Sequence, residues 1–126
     1  MVILYLGARP KPSLTRMLAK EGYTVIYAHH RKGILASLPN CAAVVLHWRS
    51  NKDQQVIAEA KLAWMPTMVV TSNLVEAYGA GDPLAELYLE EPAVVEDIFS
   101  LLIDLIDSER EGGHNSTDGR GIGLAA

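Results

Sequence analysis

The side chains able to do chemistry gather in short segments that each follow an apolar run. His47 and Arg49 flank Trp48 directly after Val44, Val45 and Leu46. His29 and His30 follow "YTVIYA", Arg9 and Lys11 lie in "GARPKP", Thr71 and Ser72 close "TMVVTS", and Glu91 precedes Pro92. An imidazole can act as a general base, accept a phosphoryl group, or ligate a transition metal together with further ligands. Guanidinium, ammonium and hydroxyl groups together can surround an anion. The spacing places no carboxylate and no third ligand beside His47, so by position it reads as a hydrogen-bonded structural residue at a strand end. Cys41 is the single cysteine, which excludes an internal disulfide and any CxxC metal or redox site, and fits a reducing cytosol.

The elements that must position these residues are legible as an alternation. "VILYL" (residues 2–6) is an apolar β-forming run that ends at a glycine and two prolines. Ser13 is expected to cap a helix with Leu14, Met17 and Leu18 on one face, closed by Gly22. Residues 23–28 read as a second strand, and "RKGILASLP" as a short helix stopping before Pro39. Residues 42–46 form a third strand. A helix is expected from 54 to 64, with Val56, Ile57 and Ala60 facing the core, and Asp53 at its start. "TMVVTS" is the fourth strand, and residues 73–78 a short helix before the loop "GAGDP". Residues 86–90 form a fifth, less apolar edge strand. Pro92 is placed in the first turn of a last helix, with Glu96 and Asp97 near its positive end. Its core stripe is Val94, Ile98, Leu101, Leu102 and Leu105, and Phe99, Ile103 and Ile106 widen that stripe into an apolar margin available to a partner.

Strands alternating with helices imply an α/β fold with a five-stranded parallel sheet wound on both faces, whose site lies at the carboxyl ends of the strands. Residues 1–107 form this one domain. Residues 108–126, with five glycines and no periodicity, read as a flexible tail or linker. The chain has 126 residues, 49% of them hydrophobic and 21% charged, which suits an ordinary globular core. Its net charge of −4 disfavours nucleic acid and anionic lipid as partners. Met1 leads directly into the first strand without a basic leader, and no apolar stretch has the length of a membrane span, so a cytoplasmic location is expected.

At the strand ends the sequence resembles the receiver domains of bacterial response regulators over about residues 2–106. Its strongest pieces are "PTMVVTS", similar to that family's fourth strand ending in threonine or serine, and "YLEEP", similar to its Tyr-Leu-x-Lys-Pro. The resemblance implies a flavodoxin-like strand order 2-1-3-4-5. It also implies two acidic Mg²⁺ ligands after the first strand, a phosphoacceptor aspartate after the third, a threonine after the fourth and a lysine before the proline. Mg²⁺ requires hard oxygen ligands and a transferring phosphoryl group requires cations, which gives these positions their chemistry. Here the acidic pair falls on Gly7 and Ala8, the acceptor on His47 and the lysine on Glu91. Only Thr71 keeps the expected type.

The pattern resembles a pseudo-receiver with no metal, no cofactor and no catalytic residue. By resemblance, Thr71 and Tyr88 occupy switch positions; as plain residues they are a β-branched strand end and a half-buried edge aromatic. Arg9 and Arg49 leave the same end of the sheet as Glu91 and could form a charge pair with it. Trp48 and Trp64 read as packing residues, with Trp48 also placed to cap the site.

Two functions follow. The first is a phosphorylation-independent signalling module in a two-component or phosphorelay setting. It would act through protein contacts on the face of residues 73–78, 86–90 and the last helix, with a second copy or another protein. The second is a small-molecule or anion site at the strand ends, for which Arg9, Lys11, Arg49, Thr71 and Ser72 are the candidates. "GARPKP" supplies no hydroxyl for a flavin phosphate and no GxGxxG is present. "GRGIGLAA" resembles a glycine-rich phosphate loop of histidine-kinase ATPase domains but lacks the elements of a nucleotide site and reads as linker.

Overall fold

A computed structural model describes residues 1–30, 33–38, 40–80 and 84–110. "GRGIGLAA", Pro39 and the end of "GAGDP" lie outside the described residues. The sheet contains β1 (Val2–Leu6), β2 (Thr24–Ala28), β3 (Cys41–His47), β4 (Thr67–Thr71) and β5 (Leu87–Glu90), all parallel, in the order β2-β1-β3-β4-β5. This is the α/β, doubly wound, flavodoxin-like topology the sequence predicts, with β5 at an edge. β1, β3 and β4 are buried on both faces, which is why their sequences are continuous apolar runs.

The helices α1 (Pro12–Lys20), α2 (Gln54–Leu62), α3 (Leu74–Gly79) and α4 (Val95–Arg110) divide between the faces. Leu14 and Leu18 of α1 join Ile98, Leu102, Leu105 and Ile106 of α4 over Ile3, Tyr5, Val45 and Val70. Val56, Ile57 and Ala60 of α2 and Ala77 of α3 cover Leu4, Leu46, Val69 and Tyr88 on the other face. Each fully buried leucine or isoleucine contributes about 1.5–3 kcal/mol of transfer free energy, so both layers are strongly held. Among the described residues no helix is long and apolar enough to cross a membrane.

Several expectations are corrected. α1 starts at Pro12 with Lys11 as its N-cap, not at a Ser13 cap, because proline lacks the N–H that the first turn leaves unpaired. Gly22 does close the turn, at φ +91, after the helix has ended at Lys20. The helix read from "RKGILASLP" is, where described, a single 3-10 turn at Leu35–Ser37. β3 begins at Cys41 and includes His47 as its last residue. A 3-10 turn at Asn51–Asp53, with Ser50 and Asp53 capping each other reciprocally, precedes α2.

α2 stops at Leu62. Trp64 takes a left-handed φ of +57 and is 93% exposed, so it is not a packing residue. Pro92 lies before α4 rather than in its first turn, which holds Glu96 and Asp97 as expected. Val94 is exposed instead of joining the core stripe, and Ile106 is buried in this chain's own core instead of forming a margin. α4 continues to Arg110, three residues into the segment expected to be a tail from Ser108.

Candidate functional site

The register of the sheet brings the ends of β1 and β3 together. Leu6 pairs with Leu46, so the next residues, Gly7 and His47, abut. Gly7 has φ +91, and a β-carbon built there would lie 2.7 Å from the His47 carbonyl oxygen and 3.2 Å from its Cβ. Position 7 therefore accepts only glycine without movement of the backbone. The position where the resemblance expects a metal carboxylate is closed by the neighbouring strand.

His47 itself is mostly buried. Its Nε2 is 2.9 Å from the Tyr5 hydroxyl, and the two rings are tilted with centroids 5.2 Å apart. Its Nδ1 is 3.7 Å from a Glu91 carboxylate oxygen. A carboxylate facing Nδ1 favours the tautomer protonated there, in which Nε2 accepts the hydrogen bond from Tyr5. Burial lowers the His47 pKa below the usual histidine value. Glu91 opposes that shift and Arg49 adds to it. Tyr5 is pushed up to about 12, first by burial and then by the Glu91 charge. The phenol and a neutral imidazole thus form a stable polar pair near neutral pH.

Glu91 is held at the end of β5 by its backbone N–H, which donates to the Thr71 carbonyl at 2.8 Å. The side chain it faces is His47, and neither arginine is in ion-pair contact with it, which corrects the expected charge pair of Arg9, Arg49 and Glu91. Arg9 instead places its guanidinium 4.9 Å from the centre of the Tyr27 ring. Arg49 is exposed, and its backbone N–H donates to Asp53 at 2.7 Å.

His29 and His30 do not join His47. His29 packs edge-on against Tyr27, and His30 meets Glu59 at 2.9 Å, while Gly33 donates its N–H to the other oxygen of Glu59 at 3.0 Å. Among the described residues no group of three His, Cys, Asp or Glu side chains is placed to hold a metal.

Thr71 belongs to the opposite face of the sheet from His47. It is buried, and its hydroxyl accepts from the Asn73 N–H at 3.1 Å, fixing the turn into α3. Tyr88 is fully buried rather than half-buried. Its hydroxyl accepts from the Ala85 N–H at 3.0 Å, and its ring meets Tyr78 edge-on with centroids 5.2 Å apart. Phe99 and Ile103 are half-buried against the α1/α4 core. Trp48 is buried among the α2-facing residues rather than capping the strand ends, and among the described residues its indole N–H has no hydrogen-bond partner. Ala8 is half-buried and offers no side-chain oxygen.

Between the start of α1 and the β5–α4 connection lies a cleft of about 200 Å³. Its polar lining is Tyr5, Arg9, Lys11, His47 and Glu91, and its apolar wall includes Leu14, Val70, Val95 and Ile98. Sequence reasoning named Arg9, Lys11, His47 and Glu91 but missed Tyr5, which reads as one more apolar strand residue. The available signal was the alternation of β1, which puts Ile3 and Tyr5 on one face and so points Tyr5 toward the end of the sheet beside His47. Compared with known proteins, the chain matches no family model, no curated protein and no solved structure.

Proposed function

We propose that the chain is a receiver-like domain that signals without aspartyl phosphorylation, in a bacterial two-component or phosphorelay setting, through contacts with a protein partner or a second copy in the cytoplasm. The observation that carries the reading is the pairing of Gly7 and His47. The strand end where a phosphoacceptor carboxylate would stand holds an imidazole engaged by Tyr5, and the adjacent metal position is blocked by a backbone carbonyl. Neither Gly7 nor Ala8 supplies a carboxylate to offset the charge of Mg²⁺, and Glu91 repels an incoming phosphoryl group where a cation would attract it.

The contact surface of this reading is the α3–β5–α4 face. Val75 is 85% exposed there, Phe99 and Ile103 are half-buried, and Glu90 and Asp104 are exposed. Tyr88 and Ile106 lie beneath that surface and shape it from inside. Amide NMR spectra recorded with Mg²⁺ and beryllofluoride test the reading. It expects resonances of Gly7, His47 and Thr71 unmoved, and a saturable shift at these three residues contradicts it.

A further inference from the structure

The cleft beside His47 carries both signs of charge at one small opening. Arg9 and Lys11 come from the β1–α1 connection, Glu91 comes from the end of β5, and the wall between them is apolar. At about 200 Å³ it lies below the roughly 300–1,000 Å³ of sites for drug-sized ligands, which excludes a nucleotide and suits a molecule of about a dozen heavy atoms. A phosphate dianion is disfavoured because Glu91 would face it. A divalent cation is disfavoured by the two basic side chains. A small zwitterion meets all the charges with the correct sign.

We propose that this cleft binds a free apolar amino acid, with its carboxylate on Arg9 and Lys11, its ammonium on Glu91 and its side chain on Leu14, Val70, Val95 and Ile98. The Tyr5–His47 pair forms the polar back of the site and requires no proton transfer for binding. Arg9 is already stacked on Tyr27, so its guanidinium is held near one geometry and less side-chain entropy is lost on capturing a carboxylate. Because the ligand touches both the start of α1 and the segment leading into α4, it would tie together two connections that the sheet alone leaves separate. The proposal does not rest on a signalling role of the α3–β5–α4 face.

The test is an amide NMR titration of the full chain at millimolar concentrations of L-phenylalanine, L-leucine, hydrocinnamate, phenethylamine and inorganic phosphate, repeated on Glu91→Gln. The proposal expects saturable shifts at Gly7, Arg9, His47 and Glu91 with at least one amino acid, and binding about tenfold weaker for the analogues lacking the amine or the carboxylate. Glu91→Gln weakens the amino acid about tenfold and leaves hydrocinnamate unchanged or slightly tighter. Since Glu91 has a half-exposed side chain and glutamine has its shape, the variant's own spectrum establishes that it is folded. No shift with either amino acid overturns the proposal. So does hydrocinnamate binding as tightly as phenylalanine, or phosphate binding more tightly than both.

Discussion

Replacing Gly7 and Gly22 with alanine separates two physical effects that share one backbone angle. Both glycines have φ +91, but a β-carbon at Gly22 meets nothing within 4 Å among the described residues, whereas at Gly7 it lies 2.7 Å from the His47 carbonyl oxygen. Gly22→Ala therefore costs only the left-handed conformational term, about 1–2 kcal/mol. Gly7→Ala adds the separation of two paired central strands, an overpacking cost of about 1–3 kcal/mol, for a total of about 2–5 kcal/mol. At roughly 4 °C of Tm per kcal/mol for a domain of this size, Gly22→Ala lowers Tm by about 4–8 °C and Gly7→Ala by about 8–20 °C. Urea unfolding followed by far-UV circular dichroism gives the same comparison in free energy. Equal losses at the two positions would refute the reasoning, because they would mean that the β1–β3 approach at His47 imposes no packing constraint. Gly7→Asp meets the same β-carbon clash, so a carboxylate at position 7 comes only with displacement of the paired β1 and β3 ends.

Glu91→Gln removes the charge that raises both neighbours, so it lowers the His47 pKa further and brings the Tyr5 pKa down from about 12, as imidazole NMR and tyrosinate absorbance would report. A rise of either value contradicts the site electrostatics. Because the folded His47 pKa lies below its unfolded value, the unfolded chain takes up the proton first, and the His47 contribution to stability is present above about pH 6.5 and lost as pH falls through the folded value. Denaturant midpoints measured from neutral pH downward for wild type and His47→Gln check this, and identical slopes would contradict it. Tyr88→Phe leaves the buried Ala85 N–H without its acceptor and costs about 1–3 kcal/mol in urea unfolding. Trp64→Gly relieves a left-handed tryptophan that is almost fully exposed, so it stabilises by about 1 kcal/mol, and a lower Tm would show that the indole packs after all.

The positions of β1, β3 and β4 were legible because each is a continuous apolar run, while the lateral order of the strands came from the resemblance. Helix ends were legible only where a backbone signal is strong. Gly22 closes its turn as expected, but Pro12 moved the start of α1 forward and Pro92 stands outside α4, since a proline constrains its own φ without saying how many residues separate it from the first helical hydrogen bond. The stripe of α4 was readable at Ile98, Leu102 and Leu105. Val94 escaped because it precedes the helix, and Ile106 because it is buried in the core that α4 shares with α1 and the sheet.

At the site, the residue types at positions 7, 47 and 91 were visible in the sequence, and their mutual geometry was not. Periodicity does not reveal that Glu91 faces His47 rather than an arginine, or that Arg9 is taken by Tyr27. Those pairings depend on loop conformations and on residues contributed by separate strands. The left-handed turn at Trp64 was hidden for a related reason: nothing local distinguishes a tryptophan that ends a helix from one that packs under it.

The most direct measurement of the central claim is the intact mass of the full chain after treatment with acetyl phosphate and Mg²⁺, read before and after acid exposure. The account predicts an unchanged mass, because Gly7 and Ala8 supply no metal carboxylate and the imidazole is engaged by Tyr5. A phosphoryl adduct formed in stoichiometric yield would contradict it. Acid lability of that adduct, abolished by His47→Gln, would locate the phosphoryl group on the imidazole the account holds to be structural.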